Sequence, residues 1–213
     1  MLNNVRYTHY VVNSDANDFQ ITKRLGAGSY GEAYLGHNIT SMEQYVFKLY
    51  RFGKLKRKKM LREILVTQSV CGHPNIIKLL HVIRQSLTDY PVLVLEHANG
   101  TSYRDLFPIL KPKDVKYYMY EILKGLAYAH ERGVMHKDIQ PANIMIDHQE
   151  RVVKIIDWGL SQFYFNSKLS LYIYTILCCT ILKYITITYI YSIILPIYCN
   201  HRGISIRSWQ YVL

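Results

Sequence analysis

One charge stands inside an otherwise apolar run, Val46-Phe47-Lys48-Leu49. A strand of that composition belongs in a sheet with at least one covered face, and an ammonium buried there must meet a carboxylate or an anionic ligand. Lys48 therefore either pairs structurally or grips a phosphate. Glu63 is the available counter-charge, because Lys54 to Ser69 has helical spacing, with Leu61, Ile64 and Leu65 on one face.

The elements around this pair follow from turn signals and periodicity. Phe19 to Leu25 reads as a strand entering the turn Gly26-Ala27-Gly28-Ser29-Tyr30-Gly31, and Glu32 to Leu35 leads out of it. Gln44 to Tyr50 is the strand that carries Lys48. After Gly72-His73-Pro74, strands are expected at Ile76 to Arg84 and Val92 to Leu95. A long amphipathic helix is expected from Lys113 to Glu131, with Tyr118, Ile122, Leu126 and Ala129 on its apolar face. Val134-Met135-His136, a polar loop, and strands at Ile144 to Ile146 and Val152 to Ile156 complete the pattern. Strands first and helix later give an α+β fold of two lobes with a cleft between them. The lobes are placed at residues 18–98 and 99–165, after an extension at 1–17 and before a hydrophobic tail at 166–213.

Composition separates that tail from the rest. All 15 acidic residues of the 213 lie at or before Asp157. Up to that point 22 Lys and Arg against 15 acids give +7, and residues 158–213 supply the other +4 of the net +11. Half the residues are apolar, which excludes a disordered or collagenous chain. One cysteine, Cys71, before Asp157 excludes a disulfide scaffold there and points to a reducing compartment, cytoplasmic or nuclear. The N-terminus shows no secretory signal pattern. The basic balance suits an acidic partner without choosing among nucleic acid, anionic lipid and acidic protein. Residues 166–213 as a whole read first as a retained-intron or frameshift product, translated from A/T-rich non-coding DNA; within them, residues 169–198 also read as a membrane span interrupted by Lys183 or as alternating β-like sequence.

The chemistry lies before the tail. Gly26-x-Gly28-x-x-Gly31 between two strands lets backbone N–H groups approach phosphate oxygens, although alone it equally fits a hairpin turn. His136-Lys137-Asp138-Ile139-Gln140-Pro141-Ala142-Asn143 sets a carboxylate and an amide in one polar loop, and Asp157-Trp158-Gly159 adds a second carboxylate after a strand. Glycine loop, Lys48, Glu63, Asp138-x4-Asn143 and Asp157-x-Gly159, in this order, resemble the eukaryotic protein kinase signature. Within that family the chain resembles the casein kinase II catalytic (alpha) subunit. The residues that carry this are Trp158 between Asp157 and Gly159, Gly159 to Tyr164, Tyr117 to Leu123, Asn143 to His148 and Pro74 to Leu80. This resemblance covers about residues 18–164.

The resemblance implies a bilobal serine/threonine kinase with an antiparallel sheet and one helix in the N-lobe, an incomplete helical C-lobe, and ATP and magnesium as cofactors. Lys48 would hold the α- and β-phosphates and pair with Glu63. Asp138 would be the catalytic base, and Asn143 and Asp157 would bind magnesium. Leu25, Gly26, Gly28, Gly31, Ala33, Val46, Met145 and Ile156 would enclose the nucleotide, and the backbone of Glu96 to Ala98 would meet adenine. The basic cluster Arg51, Lys54, Lys56, Arg57, Lys58, Lys59 and Arg62 would attract acidic protein substrates, its alternatives being a solvated face or a nuclear localisation patch. A dimeric regulatory subunit is expected on the N-lobe, with no nucleic-acid partner.

Four departures from the family stand out: Ala33 for valine over adenine, Lys137 for arginine, Gln140 where kinases carry a lysine that neutralises the γ-phosphate, and the lack of a Trp-Gly pairing before Asp18. The sequence after Phe165 lacks the helices expected of a complete C-lobe. The polypeptide is therefore expected to be inactive or unstable alone, with a non-catalytic pseudokinase module and a membrane-anchored fragment as alternatives. His73, His81, His97 and His148 show no metal-ligand spacing with Cys71 and are expected as surface or loop residues. Tyr117, Tyr118 and Tyr120 are expected in helix packing.

Overall fold

A computed structural model describes residues 16–28, 31–51, 57–83 and 91–164. Five strands, β1 (Phe19–Ala27), β2 (Gly31–Asn38), β3 (Gln44–Tyr50), β4 (Leu79–Ile83) and β5 (Val92–Glu96), form an antiparallel sheet in the order β1-β2-β3-β5-β4. Asn38 turns the chain between β2 and β3, its side-chain oxygen accepting from the amides of Thr40 and Ser41, both at 2.9 Å.

Alternation along β3 sends its residues to two faces. Tyr45 and Phe47 join Val92 and Val94 on one face, where Phe19 packs edge-on against both rings. Tyr50 joins Leu93 and Val82 on the other, covered by Met60 and Ile64 of α1 (Arg57–Val70). Lys48 shares this second face, so the helix that covers the face also delivers Glu63 to it.

The second lobe holds α2 (Tyr103–Leu106), α3 (Pro112–Glu131), β6 (Val134–Met135), β7 (Ile144–Asp147), β8 (Val152–Ile155) and β9 (Gln162–Phe163). β7 pairs with β8, and β6 with β9. Pro112 opens α3, where its fixed backbone suits the first turn, and Asp114 caps it by accepting from the Lys111 amide at 3.1 Å. Tyr118, Ile122, Leu126 and Ala129 bury one stripe of α3 in a core with Val134, Ile144, Ile146, Val153, Ile155 and Trp158.

The expected elements recur with small shifts of boundary, and the α+β fold of two lobes is the observed one. The predicted strand from Ile76 differs for a physical reason. Ile76 and Ile77 are engaged by the second lobe: Ile76 bridges Ile155, and the Ile77 amide donates to the Ile155 carbonyl at 3.0 Å. The Ile155 amide returns a bond to the Asn75 carbonyl at 2.8 Å, so the sheet strand starts only at Leu79. Tyr120 is exposed, because two residues on from Tyr118 lies across the helix from the buried stripe. Arg84, the 1–15 stretch and residues 165–213 lie outside the described residues, as do the expectations made for the tail. Among the described residues no helix is long and apolar enough to cross a membrane.

Ile155 is fully buried where the connector and β8 meet. Ile155→Ala should lower stability by about 2–5 kcal/mol, read from urea denaturation midpoints. Val152→Ala, on an exposed position of the same strand, should change it by less than about 0.5 kcal/mol.

Candidate active site

The sheet register sets residues of the cleft side by side. Gly26 pairs with Ala33, and Ala33 with Lys48, while Val46 pairs with Leu35 and Leu95. Beneath this row the Lys48 ammonium stands 2.6 Å from Glu63 Oε1 and 2.6 Å from Asp157 Oδ1. Burial alone would pull the Lys48 pKa down; the two carboxylates outweigh it and hold the pKa above the ordinary lysine value. Asp157 shows the mirror image: burial raises it, but Lys48 and the Gly159 amide hold its carboxyl below the usual range. The Tyr50 phenol, buried beside Glu63, is pushed well above its ordinary value by burial and by that carboxylate.

Asp157 has φ 56°, a left-handed conformation uncommon outside glycine, asparagine and aspartate. Its Oδ1 accepts from the Gly159 amide at 3.3 Å and so stabilises the turn through Trp158. That turn packs against α1, which keeps Glu63 and Asp157 on the same ammonium.

The polar loop is built on His136. Its Nδ1 accepts from the Asp138 amide at 3.2 Å, and its Nε2 faces the Ile156 carbonyl at 2.9 Å, an acceptor only. These partners require the neutral Nε2–H tautomer. Burial against Trp158, whose ring centroid is 4.6 Å away edge-on, pushes the His136 pKa below 6.5. The Ser161 hydroxyl donates to the His136 carbonyl at 3.1 Å. Within the loop, Asn143 Nδ2 donates to both the backbone oxygen and Oδ2 of Asp138 at 2.8 Å. Gln140 Nε2 lies 3.1 Å from each carboxylate oxygen of Asp138. Lys137 Nζ reaches Gln162 Oε1 at 3.2 Å, an amide and not a charge.

The three glycines differ in what holds them. A Cβ on Gly31 would sit 2.5 Å from the Leu49 carbonyl oxygen, so the sheet itself demands glycine there. Gly26 has nothing within 4 Å of that position, and Gly28 only the Gly31 oxygen at 4.0 Å. No packing among the described residues explains those two. Leu25, beside them on β1, is half exposed. Met145 and Ile156 lie across the cleft in the second lobe. A Cβ on Gly100 would meet Met145 Cε at 2.6 Å, so the linker after β5 passes directly over Met145. The Glu96 amide is committed to the Lys78 carbonyl at 3.0 Å.

Asp157 Oδ2 and the side-chain Oδ1 of Asn143 remain as hard donors after these bonds are made, and their chemistry fits magnesium. The basic cluster lies only partly among the described residues. Arg51 is engaged by Glu32 at 3.1 Å and is not a free cation, Lys58 and Lys59 are exposed on α1, Arg57 starts that helix, and Lys54 and Lys56 lie outside the described residues. Three histidines prove half-buried and packed: His73 against Tyr128, His81 against Phe19, and His148 at 2.6 Å from the Tyr118 hydroxyl. The sequence reading gave no role to His136 or Ser161. The available signal was the position of His136 two residues before Asp138.

Comparison with protein families matches residues 19–186 to the protein kinase domain. The match runs past Tyr164, where the sequence resemblance was placed as ending.

Lys48→Met leaves Glu63 buried without its cation and should cost about 3–5 kcal/mol of stability, most of it recovered in the Lys48→Met/Glu63→Gln double variant; chemical denaturation of both measures this. The folded His136 pKa lies below 6.5, so the unfolded chain takes up the proton first as pH falls. The stability it contributes is full above pH 6.5 and declines as pH falls through the folded value. In an NMR titration the His136 imidazole should show its midpoint below 6.5.

Proposed function

The chain belongs to the protein kinase domain family, and we propose that it transfers the γ-phosphoryl of ATP to serine or threonine hydroxyls in acidic protein surroundings, as a kinase of the casein kinase II alpha type. The observation that supports this best is one juxtaposition: Lys48 held by Glu63 and Asp157, opposite a loop in which Asn143 holds Asp138. Phosphoryl transfer asks the protein mainly for positioning and fixed charge, and these residues supply both.

Gly26 and Gly28 leave open space above the row Ala33–Lys48, room for a triphosphate to approach the backbone of the loop. Lys48, kept protonated by its carboxylates, would contact the α- and β-phosphates. Adenine would lie between Leu25, Ala33 and Val46 above and Met145 and Ile156 below. With the Glu96 amide already bonded, the hinge would meet the base through the Glu96 carbonyl and the backbone of His97 and Ala98. Magnesium, held by Asp157 and Asn143, would supply charge neutralisation at the phosphates. Asp138 is within reach of no cation in its loop: its carboxylate is held by two amides, and it would accept the proton of the attacking hydroxyl. Lys58 and Lys59, with their neighbours, would draw acidic substrates, and a dimeric regulatory subunit is the partner this reading expects on the N-lobe.

A second reading, a nucleotide-binding module without phosphotransfer, is favoured by Gln140, which brings a neutral amide to Asp138 where the family's lysine would bring a charge. A phosphotransfer assay on the purified chain with Mg-ATP and an acidic serine peptide tests the two. Transfer abolished by Asp138→Asn supports the kinase. Mg-ATP binding in a thermal-shift titration without any transfer supports the module. Restoring one preorganised cation is worth about 2.7–4 kcal/mol, so Gln140→Lys should raise kcat by about 10²–10³-fold.

A further inference from the structure

We propose that Glu96 and Lys154 form a tether between the lobes that fixes the hinge above the floor of the cleft, and that both are positioning residues for nucleotide binding. The positioning role rests on the nucleotide reading given above; the tether itself does not.

Glu96 ends β5 and leads into the hinge. Its Oε1 accepts from two directions, from Lys154 Nζ at 2.8 Å and from the Lys78 amide at 2.8 Å. Both charged side chains are largely covered, 13% exposed for Lys154 and 20% for Glu96, so solvent screens the pair little. One carboxylate oxygen thus joins the end of the N-lobe sheet, the connector before β4, and β8 of the second lobe. The connector is itself fastened to β8 through the Asn75, Ile77 and Ile155 backbone.

From Lys154 the circuit runs back to the hinge. Lys154 pairs with Met145 across the β7–β8 ladder, and Met145 meets the chain again at Gly100. The Thr101 amide closes it by donating to the Ile146 carbonyl at 3.0 Å. Residues 96–101 are therefore pinned at both ends to the β7–β8 hairpin, by an ion pair at one end and by backbone at the other. The gap available above Met145 and Ile156 is set by the reach of the Lys154 side chain. Remove the pair, and β5 keeps its ladder to β3 through Tyr45 and Glu96, so the lobe stays folded. What is lost is the hold on the hinge.

Lys154 stands on an apolar strand, Val152-Val153-Lys154-Ile155, in the same way as Lys48 stands on β3. The Asp138 loop and the Lys48 cluster make no use of it. Its charge answers a carboxylate at the other lobe, which is a different task from meeting a phosphate.

The test uses the full chain and the variants Lys154→Met, Glu96→Gln and Lys154→Arg. Glu96→Gln keeps an acceptor for the Lys78 amide while removing the ion pair. Amide hydrogen exchange is read at Lys78 and Thr101 in the ligand-free protein, and Mg-ATP dissociation constants are read by calorimetry. Loss of one charge-assisted hydrogen bond should speed exchange at those two amides and weaken Mg-ATP binding, each by about tenfold. Amides in the middle of α3 should be unaffected, and Lys154→Arg should restore both readouts. Unchanged exchange in Lys154→Met, with binding intact, overturns the tether. A uniform rise in exchange across both lobes overturns it too, because that marks a structural role only. No Mg-ATP binding by the unmodified chain overturns the positioning role through the nucleotide reading, while the exchange data still decide the tether.

Discussion

The structure depends on one ammonium shared by two carboxylates. Lys48 comes from the sheet, Glu63 from α1 and Asp157 from the end of the β7–β8 hairpin, so the pairing fixes three units on one point. Its charges do not cancel: one cation meets two anions, and a net negative charge remains, with Lys48 and Glu63 covered and Asp157 half exposed at the cleft. A site of that kind has a use for a further cation, and the oxygen donors left on Asp157 and Asn143 are the hard type that a divalent ion takes. The same surplus keeps Lys48 protonated against the pull of burial. Under the proposed function, the lysine that would hold phosphate and the carboxylate that would hold metal are two ends of one electrostatic arrangement.

The Asp138 loop follows a different principle. Its geometry comes from a neutral histidine in the core, and its polar contacts come from amides. His136 works only uncharged, since protonation would set two N–H donors against each other at Nδ1 and the Asp138 amide. Gln140 and Asn143 orient the Asp138 carboxylate without adding charge, which secures its position and would leave the proposed phosphoryl transfer short of one cation. Positioning and electrostatic stabilisation, usually supplied together, are separated in this loop.

Much of this was legible in the sequence, and the limits have physical causes. A lone lysine in an apolar strand announced the need for a carboxylate, and Glu63 met it. Lys154 carries the same signal, yet its partner Glu96 is 58 positions away on another lobe, and local spacing says nothing about it. Ile76 and Ile77 look like sheet residues because they are apolar and β-branched; they do form β-type contacts, but with β8. The triple-glycine pattern hides two reasons for glycine. Gly31 answers to the neighbouring strand, whereas a Cβ on Gly26 or Gly28 would meet no close contact among the described residues, and only coordinates separate the cases. Tyr118 and Tyr120 look alike in sequence and lie on opposite sides of α3. Arg51 counts as a cation in composition, but Glu32 holds it together with Arg24.

The compositional break after Asp157 illustrates the same limit from the other side. Acidic residues stop there, and in sequence that suggests the edge of a domain. Yet Trp158 and Ser161 are buried, β9 pairs with β6, and the Tyr164 hydroxyl donates to the His130 carbonyl at 2.6 Å. The match to the kinase domain continues to residue 186. Loss of acids changes net charge, which governs solubility and partner attraction, whereas membership of a fold is decided by burial and hydrogen bonding. Residues 158–164 need no carboxylate to be part of the lobe, because their contacts are a buried indole edge-on to His136, a buried hydroxyl and a short strand. Charge therefore marks a change in what the surface offers to partners, and the position where the core ends has to be read from packing.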